Sequence, residues 1–176
     1  MISSRADFER LVLPLQDDLF HAALAMARRE ADALDLVQDA LLKAWRNAAS
    51  FNRGDNLKAW LFTILRNAYL DRCRARRLEP VALEDAGDPS APAAPLPAFE
   101  ETLPDDLLRA LRELSPAHQL LLQLCDLEGL SYQEIADVLG CPIGSVMSGL
   151  HNARTRLRQK LSAISSQPSA RRTRPG

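Results

Sequence analysis

Polar and basic side chains in the stretch from Leu130 to Leu161 have the types and spacing of a segment that reads DNA. Ser131 and Glu134 form an S-x-x-E capping box, which predicts the start of a short helix. Gly140 is suited to end that helix because glycine adopts the left-handed conformation at low cost, and Pro142 prevents its continuation. A second helix is predicted to follow directly. The pattern is typical of a helix-turn-helix, whose second helix enters the major groove of DNA.

The second helix of this motif divides into an apolar face and a polar face. Apolar residues at three- and four-residue steps predict its core side: Val146, Leu150, Ala153 and Leu157. The opposite, solvent-facing side carries the polar residues Ser145, Ser148, His151, Asn152 and Thr155. A basic extension suited to phosphates follows, with Arg154, Arg156, Arg158 and Lys160. An ordinary helical hairpin with a solvated basic end is the alternative.

Composition restricts the remaining choices. The chain has 176 residues, of which 47% are hydrophobic and 26% charged, with a net charge of −1. It therefore fits a soluble protein and not a generally basic DNA-coating protein. No apolar run has the length of a membrane span and the start does not resemble a signal peptide, so we expect a cytoplasmic protein without membrane insertion. Three scattered cysteines without metal-ligand spacing fit a reducing compartment; a redox role for Cys73, which lies among arginines, is left open.

Helical periodicity predicts an all-α protein with two small domains. Residues 1–78 form the first predicted domain, 104–164 the helix-turn-helix domain, and 165–176 a disordered basic tail. Between them, residues 79–103 are predicted to be a flexible linker. The stretch from Glu79 to Asp106 contains eight acids, six of the eleven prolines and no Lys or Arg. In the free protein, the two domains are predicted to be mobile or packed together.

The first domain is predicted to contain three helical segments. The first, over residues 4–29, should kink or split at Pro14. The second spans residues 31–45, with a predicted buried stripe of Leu34, Val37, Leu41, Leu42 and Trp45. Its predicted exposed face carries Asp35, Gln38, Asp39, Lys43 and Arg46.

A loop at residues 51–56 precedes the third helix, over residues 57–77. Its last turns carry Arg66, Arg72, Arg74, Arg76 and Arg77 against one acid, Asp71. Guanidinium groups so close together repel each other, which favours a polyanionic partner over a merely solvated helix end. For Trp60, the spacing with Leu61 and Ile64 favours core packing over a role as a platform for base stacking.

Three segments in order resemble the extracytoplasmic-function (ECF) group of bacterial sigma factors. They are DLVQDALLKAW (35–45), FNRGDNLKAWLFTILRNAYLDRCRARR (51–77) and LEGLSYQEIADVLGCPIGSVMSGLHNARTRL (127–157). The resemblance implies a protein that is no enzyme by itself and needs no cofactor or metal. It would bind core RNA polymerase and direct it to promoter DNA, and an anti-sigma factor would control it.

The resemblance also implies roles for particular residues. On the second predicted helix, the polymerase-docking residues would be Asp35, Gln38 and Asp39. The melted minus-10 element would be bound through Asn56, Arg66, Asn67, Asp71, Arg72, Arg74 and Arg77. The duplex minus-35 element would be read by Ser145, Met147, Ser148, His151, Asn152, Arg154 and Arg156.

The chain departs from the family pattern at several of these positions. Family members usually have Glu at the position of Leu34 and basic residues at those of Met147, Gly149 and Asn152. Each lost phosphate contact weakens binding and lowers its salt dependence, so we predict weak minus-35 binding by the isolated second domain. Asn152 is instead suited to pair with adenine through two hydrogen bonds.

Other classes of function remain open. A sigma-like decoy or adaptor would bind an anti-sigma protein without working on promoters. A stand-alone dimeric helix-turn-helix repressor would leave the arginine-rich helix unexplained. An enzyme is the weakest alternative, because His21, His118 and His151 are scattered without a partnered nucleophile.

Overall fold

A computed structural model describes residues 4–52, 54–76 and 103–165 of the chain. These residues form helices, turns and loops without a strand, and the all-α prediction with two helical domains is confirmed. Arg77, nearly all of the predicted linker and the predicted tail beyond Ser165 lie outside the described residues. None of the helices in the described ranges combines the length and apolarity that crossing a membrane requires.

Pro14 splits the first helical segment of the chain, as predicted. Helix α1 spans Arg5–Val12, a 3-10 turn follows at Leu13–Leu15, and α2 spans Gln16–Ala27. Proline is tolerated there because it stands in the first turn of the 3-10 segment, where a backbone N–H has no helical partner. The break lets α2 bury its own apolar face, which includes Leu19 and Met26.

Helix α3 spans Glu30–Arg46, and its predicted buried stripe is confirmed at Val37, partly confirmed at the half-buried Leu41, and wrong at the other three positions. Exposed fractions of 47%, 55% and 44% place Leu34, Leu42 and Trp45 at the surface. The buried face consists of Ala33, Leu36, Val37, Ala40 and Ala44. Three of these five residues are alanines, which allow α3 to approach α2 and α4 closely. The predicted stripe was displaced around the helix because the prediction considered the large apolar residues and not the alanines.

Helix α4 spans Leu57–Arg76 and follows the predicted loop. Asn56 begins it as an N-cap: its Oδ1 atom accepts hydrogen bonds from the N–H groups of Lys58 and Ala59 at 3.0 and 3.4 Å. Trp60 packs against Phe51 with ring centroids 5.3 Å apart and contacts the core. The predicted core packing of Trp60 is therefore confirmed. The buried residues of α4 are Leu61, Phe62, Leu65, Ala68 and Cys73.

The second domain consists of four α-helices and one π-helical turn. Its elements are α5 (Asp105–Arg112), α6 (Pro116–Leu122), the π turn (Gln123–Leu127), α7 (Tyr132–Leu139) and α8 (Ile143–Ser165). Ser115 caps α6 by accepting from the His118 N–H at 3.4 Å, and every residue of α6 is buried. Helix α6 is therefore the central element against which α8 packs.

The two domains are packed together, one of the two arrangements predicted for the free protein. Helix α2 contacts α6, and α4 contacts α7. The Gln123 side chain is buried between the domains and donates to the backbone oxygen of Asp18 at 3.1 Å. The buried side chains of both domains thus form one contiguous core.

Candidate nucleic-acid interface

The helix-turn-helix has the predicted local geometry. The Ser131 N–H donates to Glu134 Oε2 at 2.8 Å, and the Glu134 N–H donates to Ser131 Oγ at 3.3 Å, which completes the capping box. Donation by the Ser131 N–H and hydroxyl to the Glu134 carboxylate holds the pKa of that carboxyl below its usual value. Gly140 ends α7 with a φ of +59°, in the left-handed region. The turn thus sets α8 against α7 and leaves one side of α8 open.

The open side of α8 carries most of the residues predicted to face the minus-35 element. The predicted core residues Val146, Leu150 and Ala153 are buried. The surface of the first turns is formed by the exposed residues Met147, Ser148, His151 and Asn152, with Ser145 partly exposed beside them. This face is continuous and uncharged when His151 is neutral, so its reading of a groove depends on hydrogen bonds and apolar contacts.

Gly149 does not belong to that open side. A Cβ atom built on Gly149 would lie 2.7 Å from Cδ1 of Leu121, which is fully buried in α6. The glycine lets α8 approach α6 closely. The interpretation of Gly149 as a lost phosphate contact is therefore wrong for this chain, because the position faces the domain core.

The basic extension of α8 is partly neutralised within its own domain. Arg154 donates to the carboxylate of Asp126 and to the hydroxyl of Tyr132, the latter at 3.4 Å. Lys160 pairs with Glu113 at 2.7 Å. Arg156 and Arg158 are exposed. Of the two predicted minus-35 arginines, Arg154 is therefore engaged in the described conformation.

The arginines at the end of α4 are also paired. Arg72 Nε donates to Asp39 Oδ2 at 3.0 Å, and its Nη1 donates to the backbone oxygen of Asp32 at 3.3 Å. Arg76 pairs with the side chain of Asp32 at 3.0 Å, which lowers the pKa of that carboxyl. Arg74 pairs with Asp71 at 3.0 Å. The end of α4 is therefore less basic at its surface than its sequence, with one acid at Asp71, indicates, because α3 adds the carboxylates of Asp32 and Asp39.

The other candidate minus-10 residues lie on the same helix or at its start. Asn67 is exposed, and Asp71 is exposed while bound to Lys43 at 2.7 Å, which lowers the pKa of the Asp71 carboxyl. Asn56 and Arg66 both lie against the second domain, as described below. The described candidates thus lie on one helix or at its start, and Asn67, Asp71 and Arg74 combine high exposure with a position away from the second domain.

The candidate polymerase-docking face on α3 includes residues that we did not predict for it. Asp35 and Gln38 are exposed, whereas the Asp39 carboxylate accepts from Arg72. Beside them, Leu34, Leu42 and Trp45 add a large apolar surface along the same helix. The sequence signal for this surface is the excess of apolar residues in α3, which is more than one buried face can hold.

The cysteines and histidines provide no alternative site. Cys125 and Cys141 are partly buried free thiols. Cys73 is buried, so its thiol, for which a redox role was left open, has little access to solvent. Within the described ranges, no three residues among His, Cys, Asp and Glu are grouped in a way that could hold a metal ion. His118 is fully buried, with neither ring nitrogen hydrogen-bonded.

Comparisons with known proteins agree with this arrangement. Residues 11–79 match the model of sigma-70 region 2, and residues 105–157 match that of sigma-70 region 4. The ECF RNA polymerase sigma factor EcfG of Rhodopseudomonas palustris is 36% identical over 152 residues, which cover 81% of this chain and 82% of the relative. The ECF sigma factor SigE of Mycolicibacterium smegmatis is 33% identical over 91% of this chain, which spans only 63% of that relative.

A solved structure is similar as well. The sigma factor RpoE from Bartonella quintana, solved in complex with the anti-sigma factor NepR, has a TM-score of 0.67 and 37% sequence identity. The match covers 89% of this chain and 97% of that chain, and so includes both domains. From the two matched regions, the relatives and the shared structure, we conclude that this chain belongs to the ECF sigma factor family.

Proposed function

We propose that the chain is an alternative sigma factor that binds core RNA polymerase and directs promoter-specific initiation, and that it is not an enzyme itself. The observation that carries the proposal is that one chain combines an exposed apolar and acidic face on α3, a polar surface on α4 and an open, polar face on α8. The functional domains would be those expected from the sequence, residues 1–78 and 104–164, joined by the linker 79–103. It would work in the cytoplasm, where polymerase acts on DNA.

Docking on polymerase would use the exposed face of α3. Three large apolar side chains at the surface of one helix are typical of a protein-interaction site, and the neighbouring Asp35 and Gln38 add polar contacts. A helical element of polymerase could pack along Leu34, Leu42 and Trp45. Asp39 would contribute indirectly, since its carboxylate positions Arg72.

Promoter DNA would meet both domains. A melted minus-10 base would be held by stacking and edge hydrogen bonds near Asn56, Asn67 and Asp71, with the backbone contacted by Arg66, Arg72, Arg74 and Arg77. The minus-35 duplex would be read by Ser145, Met147, Ser148, His151 and Asn152, with Arg154 and Arg156 near phosphates. For Asn152, an alanine substitution should cost about 1–3 kcal/mol on a site with adenine at the contacted position. Equal losses on adenine-bearing and substituted sites would exclude base reading by Asn152.

Control by an anti-sigma factor is part of this proposal. The structurally similar sigma factor from Bartonella quintana was solved in complex with such a protein. An apolar docking face is a natural target, since a protein that covers it would exclude polymerase.

Run-off transcription with core polymerase on a random promoter library is the decisive experiment. We expect the chain to enrich one class of promoters, and no start-site preference above that of core enzyme would contradict the proposal. Leu42→Asp should abolish polymerase binding because it adds charge to the docking face. Leu13→Asp is the matched control, since Leu13 is a similarly exposed leucine outside α3; equal loss in both variants would reject α3 as the docking face.

A second candidate function is a sigma-like adaptor that binds an anti-sigma protein without working on promoters. The uncharged start of α8 favours it, because phosphate contacts supply much of the affinity for DNA. The same transcription assay separates the two candidates: an adaptor would bind the anti-sigma protein and leave start-site choice unchanged.

A further inference from the structure

We propose that the free chain is self-inhibited by a latch in which the helix-turn-helix domain occupies the DNA-facing start of α4. The latch consists of Asn56, Lys58 and Arg66 in the first domain and Glu128, Glu134 and Gly140 in the second, with Asp18 as an additional acid. Each of the three first-domain residues has its polar end against the second domain.

The first contact joins the caps of two helices. Asn56 caps α4 with its Oδ1 atom and donates from Nδ2 to Glu134 Oε1 at 2.7 Å. The other carboxylate oxygen of Glu134 completes the capping box of α7 with Ser131. Both ends of the Asn56 amide therefore hold hydrogen bonds within the protein, so a base edge would compete with Glu134 for Nδ2.

The second contact is an ion-pair triad. Lys58 Nζ lies 2.6 Å from Glu128 Oε2 and 3.1 Å from Asp18 Oδ2. The Glu128 side chain is only 6% exposed, and burial raises the pKa of its carboxyl despite the neighbouring ammonium group. Burial alone would lower the pKa of Lys58, but the two hydrogen bonds to carboxylates outweigh it and raise that pKa. Removing either partner of a shielded ion pair is strongly destabilising, because the other charge is then left without compensation.

The third contact lies at the other end of α7. The Arg66 guanidinium is so close to Gly140 that a Cβ atom there would lie 2.8 Å from Nη1. A cation at the C-terminus of a helix is favoured by the helix dipole. Since Asn56 meets the start of α7 and Arg66 meets its end, α7 runs along α4 in the same direction. The contact covers about 15 Å of α4.

The latch and DNA would compete for the same groups. Glu128 and Glu134 bring carboxylates to Lys58 and Asn56, where a nucleic acid would bring phosphates and base edges. The domains must separate before these groups can meet DNA. This masking of DNA contacts rests on the proposed function, whereas closure of the free chain does not.

Closure can be tested by charge reversal in the full chain. Energy transfer between dyes on unnatural amino acids at Ala49 and Gln159, both exposed, reports the distance between the domains. Lys58→Glu and Glu128→Lys should each shift the equilibrium towards the open state by about tenfold, because like charges would then face each other. The double variant should close again, since Glu and Lys have exchanged places. Unchanged energy transfer in both single variants would overturn the latch.

One control and one fallback measurement keep the test decisive. Lys160→Glu breaks the 2.7 Å ion pair with Glu113 inside the second domain and should leave energy transfer unchanged. If the charge-reversal variants lose helix content, the conservative variant Glu128→Gln decides instead. It should lower energy transfer because it removes one charge of the ion pair, and unchanged energy transfer would contradict the proposal.

Masking is tested separately by affinity for a single-stranded minus-10 oligonucleotide. Glu128→Gln should raise the affinity about threefold, because it weakens the latch without altering α4. Glu113→Gln is the matched control and should change nothing. A chain that opens without gaining affinity would overturn masking of the DNA contacts while closure stands.

Discussion

The two helices proposed to face DNA, α4 and α8, differ in how their charges are paired. On α4, the positive charges of Arg72, Arg74 and Arg76 are neutralised by acids from α3 and from α4 itself. On α8, the open face from Met147 to Asn152 contains no Arg or Lys, yet it is unobstructed. The number of charges in one helix therefore does not predict a positive surface, because neighbouring helices supply counter-charges. Binding by α4 is expected to require release of contacts, and binding by α8 to be weak but always accessible.

The largest effect is expected from adding the family's arginine to α8 at Gly149. Gly149→Arg should lower the free energy of unfolding by about 2 kcal/mol, since overpacking against buried Leu121 outweighs the gain in helix propensity. Chemical denaturation of the full chain measures it. Gly144→Arg is the matched control, because a Cβ at Gly144 meets nothing within 4 Å. Equal stability of the two variants would place Gly149 on the open face after all.

The paired arginines of α4 should differ in how much each contributes to the stability of the fold. Arg72→Ala should cost about 2 kcal/mol of stability, because it leaves Asp39 and the backbone oxygen of Asp32 without their charged donor. Arg74→Ala should cost less than about 0.5 kcal/mol, since Arg74 is largely exposed beside Asp71. Thermal or urea denaturation of both variants tests the difference. Similar losses would mean that Arg72 does not bridge α3 and α4.

Much of the fold could be predicted because its signals are local. The capping box at Ser131, the left-handed Gly140 and the break at Pro14 each act within a few residues, and all three were predicted correctly. The buried face of α3 was predicted only at Val37 and in part at Leu41, because the rest of it depends on how closely alanines let helices approach. The partners of the arginines were not predicted either, since Asp39 and Arg72 are 33 residues apart in sequence and meet only in the fold.

A smaller effect is expected from the buried imidazole of His118. Burial, and to a lesser extent the charge of Arg156, lowers the pKa of His118 below its usual value near 6.5. The unfolded chain therefore binds a proton more readily, so stability should fall as pH drops below about 6.5 and should be unaffected above it. His118→Leu removes two unpaired ring nitrogens and should raise stability by about 1 kcal/mol at neutral pH.

The pH dependence is measured as the difference between the unaltered chain and His118→Leu. Urea denaturation at pH 7.5 and 5.5 leaves most carboxylates ionised, so their contribution largely cancels. The unaltered chain should lose more stability than the variant between these two values. Parallel losses would show that His118 keeps an ordinary pKa in the folded state.

The smallest effect should come from restoring one charge to the open face of α8. Met147 is 53% exposed, so Met147→Arg can be accommodated without disturbing the core. One new phosphate contact should make the slope of log affinity against log salt steeper by about 0.9. Binding of the full chain to a minus-35 duplex at several salt concentrations measures it. Arg158→Met should not reverse the gain in the double variant if the new contact is local to the first turns. An unchanged slope would mean that the start of α8 does not approach the DNA backbone. The contrast between the accessible face of α8 and the paired arginines of α4 would then no longer explain how the two domains divide the promoter.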